Sequence, residues 1–558
     1  MSAVVLGSAR IDGAEYLRPL GRVVVILSLV AALALTMNWI SANLVAPLFS
    51  YLGYVYVAAS PASLSAAIAM TAVVALILPQ RITRPSHVAL WTLFVVCVSP
   101  TMLMSISTGY LPTETALLLT ASVGTAFALV CLGIPRTAMH TPTASAAQDV
   151  LRVGSFTVTR SVLTWTVLSV YSALTYGLMA ATVGIHVRFL ALDDIYDVRA
   201  DYTADVGTGG ALGYLLTGQA YAVNPLLLAR GLFRRRPSLI VLAIVGQFLL
   251  YSSTGFKAVL FSFVAVLAMA VLFRGKVRSA LPFLIAPLAI MTVSAAADQL
   301  QGGITWTSVF TRRFMLTPGL LSSVYTDYFS HNPVAMYGYS FLGTWFDYPY
   351  DVPPPKRISN YLVPGSTGYA NANLFADGFA NFGWAGIFVA AAALFVWLRG
   401  VDIASRGLPI RVAAMALVMP SITLSNTSIF TAMLSHGLLV GMLILFIAPR
   451  TGWEPRQREG RQHELSRGRA GADRTRTAHQ RTPGALAGPE CRRRRSLGGV
   501  RYGSITDGGA RRGSIARTPS RDALHSRPVS WSGPGTAAPT SRSPRREASR
   551  RPATGSRH

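Results

Sequence analysis

The stretch NANLFADGFANFGWAG (residues 371–386) follows RRFMLTPGLLSSVYTDYFSH (residues 312–331), and both belong to one long segment, residues 298–382. Between Gly21 and Pro449 it is the one long segment that is neither apolar enough for a membrane span nor short enough for a simple connection. Its 85 residues include 18 aromatic ones, twice the density of the whole chain, with four cations and five aspartates. We therefore expect it to lie outside the membrane and to form the working site.

The sequence around this segment has the composition of a membrane protein. Of its 558 residues, 51% are hydrophobic and 13% are charged. Apolar runs long enough to cross a bilayer as helices recur along the chain, so the sequence predicts an all-α polytopic membrane protein with about twelve transmembrane helices. The first run begins at Gly21 and is expected to be a retained span, with a break at Asn38–Ser41 as an alternative. The predicted spans are about 22–44, 61–79, 88–106, 115–134, 161–184, 208–229, 237–253, 256–273, 279–297, 383–398, 410–428 and 432–449.

Lysine and arginine indicate the orientation, because cytoplasmic loops are enriched in them. With the N-terminus inside and strict alternation, 18 of the 25 cations before residue 450 fall on the inner side. Both termini are therefore predicted to be cytoplasmic, and the loops 185–207 and 298–382 are predicted to be external. The seven outer cations are Arg188, Arg199, Lys257, Arg312, Arg313, Lys356 and Arg357.

Two regions are predicted: a polytopic membrane domain over residues 1–449, and a basic cytoplasmic tail over residues 450–558. The tail holds 25 Arg against eight acidic residues, which accounts for most of the net charge of +27. It is poor in aliphatic residues and is expected to be disordered. The membrane domain lacks the basic face of a nucleic-acid-binding protein, so nucleic acid is not expected as a partner.

Familiar cofactor and metal motifs are missing from the sequence. Cys97 and Cys131 lie in apolar runs and Cys491 lies in the tail, which gives neither a disulfide framework nor metal-ligand spacing. A Walker A loop, HExxH and GxSxG are also absent. We therefore expect no cofactor and no metal.

Lysine and arginine are normally depleted from external loops, so the cations on the predicted outer side call for a separate explanation. Arg199, Lys257 and the adjacent pair Arg312 and Arg313 come from three separate outer segments, and together they would suit a phosphate or pyrophosphate, since Arg offers a bidentate fork and Lys a mobile charge. The alternative is that Lys257 extends toward the interface and that the arginines pair with nearby aspartates.

Several other residues of the outer segments are candidates for chemistry. Asp327, Asp377 and His331 could each take a proton from a sugar hydroxyl. We expect Pro318-Gly319 to break the helix before Asp327. The remaining candidates would bind sugar through amides or aromatic rings, and they are Asn371, Asn373, Tyr196 and Tyr328.

The order of short motifs resembles that of the O-antigen polymerase family, the oligosaccharide repeat-unit polymerases. The motif that resembles the family most specifically is NANLFADGFANFGWAG, which enters a late span. The resemblance covers about residues 185–400. The other matching motifs are YDVR (196–199), NP (224–225), STGFKA (253–258), RRFMLTPG (312–319) and YTDYFS (325–330).

This resemblance implies a membrane glycosyltransferase similar to the lipid-carrier-dependent GT-C-like enzymes. Such proteins polymerise polyprenyl-pyrophosphate-linked oligosaccharide repeat units on the outer face of the cytoplasmic membrane, without a metal. The resemblance implies that Arg199, Lys257, Arg312 and Arg313 hold the pyrophosphate. It also implies membrane lipids, a flippase and a chain-length regulator as candidate partners.

Two other functions fit the same plan. An O-antigen ligase-type glycan transferase would use similar outer cations. A flippase for lipid-linked oligosaccharides would need polar residues lining a path inside the spans, whereas here the ionisable residues lie mostly outside them.

The predicted topology can be tested by cysteine accessibility in intact cells. A cysteine replacing Ser340 should react with an impermeant thiol reagent, because residue 340 is predicted to be external. A cysteine replacing Ser145 should react after permeabilisation, because residue 145 is predicted to be cytoplasmic. Labelling at position 145 and not at 340 in intact cells would show the opposite orientation.

Overall fold

Helices account for nearly all regular structure in the part of the chain that the structure describes. The computed structural model describes residues 13–139, 149–189, 198, 202, 210–273 and 279–453. Within these residues one antiparallel hairpin, β1 and β2, accompanies fifteen helices and one separate 3₁₀ turn, Phe341–Thr344. Several of the fifteen helices contain a π-helical or 3₁₀ section. Residues 454–558, which make up most of the predicted tail, lie outside the described residues.

The elements follow one another along the chain in two groups. The first comprises α1 (Gly13–Ile40, continued by Ser41–Val45, Ala46–Phe49 and Ser50–Leu52), α2 (Pro61–Ile77), α3 (Pro85–Leu93, continued by Phe94–Val98, Ser99–Met104 and Ser105–Ser107), α4 (Thr113–Gly133), β1 (Val150–Val153), β2 (Phe156–Thr159) and α5 (Arg160–Thr182). The second comprises α6 (Ala211–Gly218, continued by Gln219–Val223 and Asn224–Arg234), α7 (Pro237–Thr254), α8 (Lys257–Leu272), α9 (Leu281–Gln301), α10 (Thr307–Leu316 and Thr317–His331), α11 (Pro354–Leu362), α12 (Leu374–Ala404), α13 (Ile410–Thr423), α14 (Ile429–Ser435) and α15 (Leu438–Ile447).

A multi-pass helical membrane protein is confirmed in outline, but a count of twelve spans is not. All twelve predicted segments overlap helices. Seven helices among the described residues are long and apolar enough to cross a membrane, and α14 with α15, bent by 56°, could form an eighth. Three apolar helices, α2, α8 and α13, are shorter. The seven are Leu20–Leu52, Pro85–Ser107, Thr113–Gly133, Arg160–Thr182, Pro237–Thr254, Leu281–Gln301 and Leu374–Ala404.

The α3 helix lies at the centre of the bundle. Every residue from Pro85 to Leu93 is buried, and α3 packs against α1, α2, α4, α10, α12 and α13. Gly319 of α10 permits one of these contacts, because a Cβ there would lie 2.6 Å from the carbonyl oxygen of Pro100. Helices α10 and α12, which carry Arg312, Asp327 and Asp377 among the predicted site residues, are therefore fixed to a buried central helix.

The segment 298–382 is not simply an external loop. Residues 307–331 form α10, most of whose second half is buried in the bundle. The predicted break at Pro318-Gly319 is wrong, because the helix changes there from π to α hydrogen bonding and continues. Pro318 lies in the first turn of the α-helical part, where its missing N–H is tolerated. The predicted alternative break at Asn38–Ser41 is likewise absent, since α1 continues through a π-helical section.

The α12 helix is interrupted at Phe382 and Gly383, where the span predicted for residues 383–398 begins. Gly383 has φ +59° and ψ −143°, which favours glycine. A Cβ on Gly386 would lie 1.8 Å from the carbonyl oxygen of Gly378, so the two parts cross in close contact. The break therefore separates a first part that carries Asp377 from a longer apolar part.

Segments predicted for the same side of the membrane contact one another. On the predicted inner side, Asp402 accepts hydrogen bonds from the hydroxyl and the amide of Ser86, at 2.9 and 3.1 Å, and pairs with Arg84 at 3.4 Å. On the predicted outer side, the amide of Val57 donates to the carbonyl of Ser107 at 2.9 Å. These contacts agree with strict alternation, while the orientation itself stays a prediction.

The packed region extends four residues beyond the predicted domain boundary at 449. Arg450 is buried and donates to the carbonyl oxygens of Leu445 at 2.8 Å and Ala404 at 2.7 Å, at the ends of α15 and α12. Trp453 is also buried, with the guanidinium of Arg230 4.6 Å from its ring. The C-terminal residues up to Trp453 therefore belong to the bundle.

Two truncations test this boundary. Removal of residues 454–558 should leave the thermal stability of the detergent-solubilised protein unchanged. Removal of residues 450–558 should cost about 3–5 kcal/mol, the range for losing a buried Trp side chain, and should lower the unfolding midpoint. Equal midpoints for the two truncations would show that Arg450 and Trp453 do not stabilise the bundle.

Candidate functional site

Asp327 and His331 lie one turn apart at the end of α10. The Asp327 carboxylate accepts a hydrogen bond from the Tyr361 hydroxyl at 3.0 Å. The Nδ1 atom of His331 is 3.7 Å from that carboxylate and 2.9 Å from the Asp327 carbonyl oxygen. Since the His331 side chain is 76% exposed, its ring is open to a ligand while Nδ1 is held in place.

Asp377 occupies a different environment, in the first turn of α12. Its carboxylate is buried and accepts hydrogen bonds from the hydroxyls of Tyr339 at 3.1 Å and Tyr337 at 3.3 Å. Burial raises the pKa of both tyrosines, and the nearby carboxylate raises it further, so both remain hydrogen-bond donors. Among the described residues no cation forms an ion pair with Asp377.

Asn381, one turn after Asp377, holds the segment that supplies these tyrosines. Its side-chain oxygen accepts a hydrogen bond from the amide of Tyr337 at 2.7 Å, and its side-chain nitrogen donates to the carbonyl of Asp377 at 2.8 Å. The amide of Ala335 donates to the carbonyl of Ala380 at 2.8 Å. Residues 335–339 are thus tied to the first part of α12.

Six tyrosines connect the surroundings of Asp327 with those of Asp377, and we call them the tyrosine track. Adjacent rings have centroids 5.2–6.3 Å apart, within the range of aromatic contact. Burial raises the pKa of Tyr348, and it raises that of Tyr350 to about 12, so their hydroxyls stay protonated at neutral pH. In order from Asp327 the track is Tyr361, Tyr328, Tyr350, Tyr348, Tyr339 and Tyr337.

Arg312 is held by two aromatic rings from the end of α1. Its guanidinium carbon lies 4.1 Å from the ring centroid of Phe49 and 5.4 Å from that of Tyr54. Its Nε and Nη2 atoms donate to the Ser308 hydroxyl at 3.1 and 2.9 Å. Among the described residues Arg312 has no carboxylate partner, so its charge is oriented without being neutralised by an ion pair.

For two other predicted pyrophosphate-binding residues, Arg313 and Lys257, the structure gives the exposure and the position on a helix. Arg313 is exposed on α10. Lys257 is the half-buried first residue of α8. One turn later, the ring centroid of Phe261 lies 5.7 Å from that of Phe310 and 6.2 Å from that of Phe314, both on α10. The helix of Lys257 therefore packs against the helix of the two arginines.

Arg199 and Tyr196 lie outside the described residues. Two neighbours in the same segment, Val198 and Tyr202, are buried, and the Tyr202 ring is 5.2 Å from that of Phe256, next to Lys257. This contact places the Tyr202 side chain beside the start of α8.

Of the predicted sugar-binding residues, Tyr328 belongs to the track and its hydroxyl accepts a hydrogen bond from Arg357 at 2.8 Å. Asn371 is exposed and free to contact a ligand. Asn373 is buried, and its side-chain oxygen caps α12 by accepting from the amides of Phe375 and Ala376. Its side-chain nitrogen donates to the hydroxyls of Ser322 and Thr101 and to the carbonyl of Pro318, at 2.7–3.3 Å. This geometry gives Asn373 a structural role and leaves little of its amide for a sugar.

Sequence reasoning missed the aromatic residues that surround Arg312 and approach Asp327. Phe49 and Tyr54 lie in FSYLGYVY, residues 49–56, where four of eight residues are aromatic, a higher density than in the long segment. The Tyr110 hydroxyl donates to the carbonyl of Gly53 at 2.9 Å. Burial raises the pKa of Tyr110, and the nearby Tyr361 and Asp327 raise it further. Aromatic density, applied to the first span as well, would have found part of this site.

A matched pair of substitutions separates the two predicted sugar-binding asparagines. Asn373→Ala removes a helix cap and leaves buried hydroxyls without their partner, so it should lower the unfolding free energy by about 1–3 kcal/mol. Asn371→Ala, at an exposed position, should leave thermal stability unchanged. Similar midpoints in a thermal-unfolding assay would contradict the structural role of Asn373.

Comparison with known proteins adds no relative to this picture. No protein-family model matches the chain, and neither a curated protein nor a solved structure was found to match it.

Proposed function

We propose that the protein is a membrane glycosyltransferase that polymerises polyprenyl-pyrophosphate-linked oligosaccharide repeat units into a cell-surface polysaccharide. The observation that carries the proposal is the tyrosine track between Asp327 and Asp377, with the oriented Arg312 on the same helix as Asp327. Aromatic rings offer flat apolar faces for sugar rings, and phenol hydroxyls offer hydrogen bonds. A track of several such rings suits an oligosaccharide better than a single small molecule.

The proposed reaction is a glycosyl transfer to a hydroxyl. An oxygen of the acceptor sugar attacks the anomeric carbon of the donor, and the bond from that carbon to the carrier pyrophosphate breaks. The acceptor proton goes to a base, and the pyrophosphate leaves with the bonding electron pair. Cations aimed at the developing negative charge stabilise such a transition state.

Arg312 is the residue best prepared to receive the pyrophosphate. The rings of Phe49 and Tyr54 and the hydroxyl of Ser308 fix its guanidinium, and no described carboxylate competes for it. Arg313, Lys257 and Arg199 would add charge, as the family resemblance implies. A preorganised cation needs little rearrangement when the leaving group develops its charge.

Asp327 and His331 are the better placed of the three candidate bases. The exposed His331 ring is reached from outside, and Asp327 lies at the end of the tyrosine track. The Asp377 carboxylate is buried and occupied by two tyrosine hydroxyls, which suits a role in holding the track. We propose that the pair at the end of α10 takes the acceptor proton.

The polar side chains inside the helix bundle give less support to the alternative function, a flippase for lipid-linked oligosaccharides. Polar side chains do lie inside the helices, since the Gln219 and Asn224 amides join at 2.8 Å and those of Asn224 and Gln247 also at 2.8 Å. These amides satisfy one another and neighbouring groups, which suits a role in binding helices together. The ligase alternative shares the outer site and is separated from the proposal by experiment.

The proposed location of the site is the external face of the cytoplasmic membrane, with both termini in the cytoplasm. The cation distribution supports this orientation, and a lipid-linked substrate requires access from the bilayer. A flippase that delivers repeat units and a chain-length regulator are the partners that this function implies.

The glycan profile of cells lacking the protein tests the proposal. Single repeat units left on the lipid carrier would support polymerisation. Complete chains left on the carrier would instead identify a ligase, and repeat units confined to the inner leaflet would identify a flippase.

Complementation of the same cells tests Arg312. Arg312→Lys keeps the charge but loses the planar fork, and we expect polymer yield to fall about 10²-fold. The matched control is Arg411→Lys, because the Arg411 guanidinium lies over the Phe233 ring at 4.3 Å and belongs to a segment predicted to be cytoplasmic. Equal yields from the two variants would remove Arg312 from the site.

A further inference from the structure

Arg357 lies beside the middle of the tyrosine track and is fixed there by two of its tyrosines. Its Nε atom donates to the Tyr328 hydroxyl at 2.8 Å, and its guanidinium carbon lies 5.3 Å from the Tyr350 ring centroid. A guanidinium held at one nitrogen and along one face has a defined orientation. The edge formed by its two Nη atoms is the part that remains for a ligand.

One weak ion pair occupies this edge in the described part of the chain. The Nη1 atom of Arg357 is 3.8 Å from a carboxylate oxygen of Asp351, whose side chain is 82% exposed. Exposed pairs at such distances contribute about 0–1 kcal/mol, so an incoming anion could displace Asp351. The Arg357 side chain itself is 42% exposed, which leaves the guanidinium accessible.

Neighbouring cations are committed elsewhere. The Lys356 ammonium donates to the carbonyl of Ser366 and lies 5.9 Å from the Tyr369 ring. Arg312 is held at Phe49 and Tyr54, on a different set of rings. Arg357, by contrast, contacts Tyr328 and Tyr350 of the track directly. The track therefore has an oriented positive charge beside it.

We propose that Arg357 binds the carboxylate of an acidic sugar, such as a hexuronate, whose ring rests on the tyrosine track. One guanidinium edge matches one carboxylate with two parallel hydrogen bonds, whereas a pyrophosphate would need several converging cations. The inference rests on the proposed function and specifies it, because it assigns an acidic sugar to the repeat unit.

Equilibrium binding to the full-length protein in detergent tests this assignment without requiring any transfer. The probes are a hexuronate-containing tetrasaccharide and the same tetrasaccharide with its carboxyl groups reduced to alcohols. The acidic form should bind about 10-fold or more tightly than the reduced form, as expected for charge-assisted hydrogen bonds. Equal binding of the two forms would overturn the proposal.

Variants assign the effect to Arg357. Arg357→Gln should abolish the preference for the acidic form, and Arg357→Lys should weaken it, because the fork is lost. Lys356→Gln removes the adjacent charge and should retain the preference, so it is the control for net charge. Asp351→Asn removes the competing carboxylate and should tighten acidic binding by about 2–5-fold. A preference that survives in a folded Arg357→Gln protein would place the carboxylate elsewhere.

Competition with inorganic pyrophosphate tests whether Arg357 binds a phosphate group and not a sugar carboxylate. If it displaces the acidic tetrasaccharide from the wild-type protein and binds less tightly to Arg357→Gln, the edge is a phosphate site and the sugar assignment is wrong. If the binding tests fail, the acidic-sugar assignment is wrong, but the glycan profile can still support polymerisation. A profile typical of a ligase would reject the proposed function while leaving the carboxylate site measurable.

Discussion

The buried amide of Asn373 is the interaction on which the arrangement of the site depends. Its oxygen caps the start of α12, and its nitrogen faces polar atoms of α3 and α10, at Thr101 and Ser322. A polar group buried among apolar helices is costly unless its hydrogen bonds are satisfied. This one amide therefore sets where three helices meet, and two of them, α10 and α12, carry Asp327 and Asp377.

Aromatic rings hold the charged groups that face the predicted outer side. Phe49 and Tyr54 hold Arg312, Tyr328 and Tyr350 hold Arg357, and tyrosine hydroxyls bind both carboxylates. Phenols can satisfy a carboxylate without neutralising a cation. Among the described residues, Arg312 therefore has no carboxylate partner and Asp377 has no cation partner.

The predicted inner end of the bundle is stabilised differently, by charged groups bonded to helix ends. The Asp402 carboxylate accepts a hydrogen bond from the amide of Ser86 in the first turn of α3 and pairs with Arg84. Arg450 donates to carbonyl oxygens at the ends of α12 and α15. Unpaired groups at helix ends need such partners. These contacts pair or bury the charged groups, whereas the His331 and Arg357 side chains at the predicted outer end are 76% and 42% exposed.

The sequence by itself determined the helical membrane class and the approximate helix positions, and it marked the 298–382 segment as unusually aromatic, because hydropathy and aromatic density are local properties of the chain. It also singled out Asp327, His331, Asp377 and Arg312 as candidates by residue type. Only the tertiary structure decided that α10 passes through Pro318 and packs inside the bundle, and that Asn373 caps a helix while Asn371 stays exposed. It alone joined Phe49 and Tyr54 to Arg312 and Tyr361 to Asp327. Such contacts link residues from separate helices, and their partners depend on packing that no single stretch of sequence encodes.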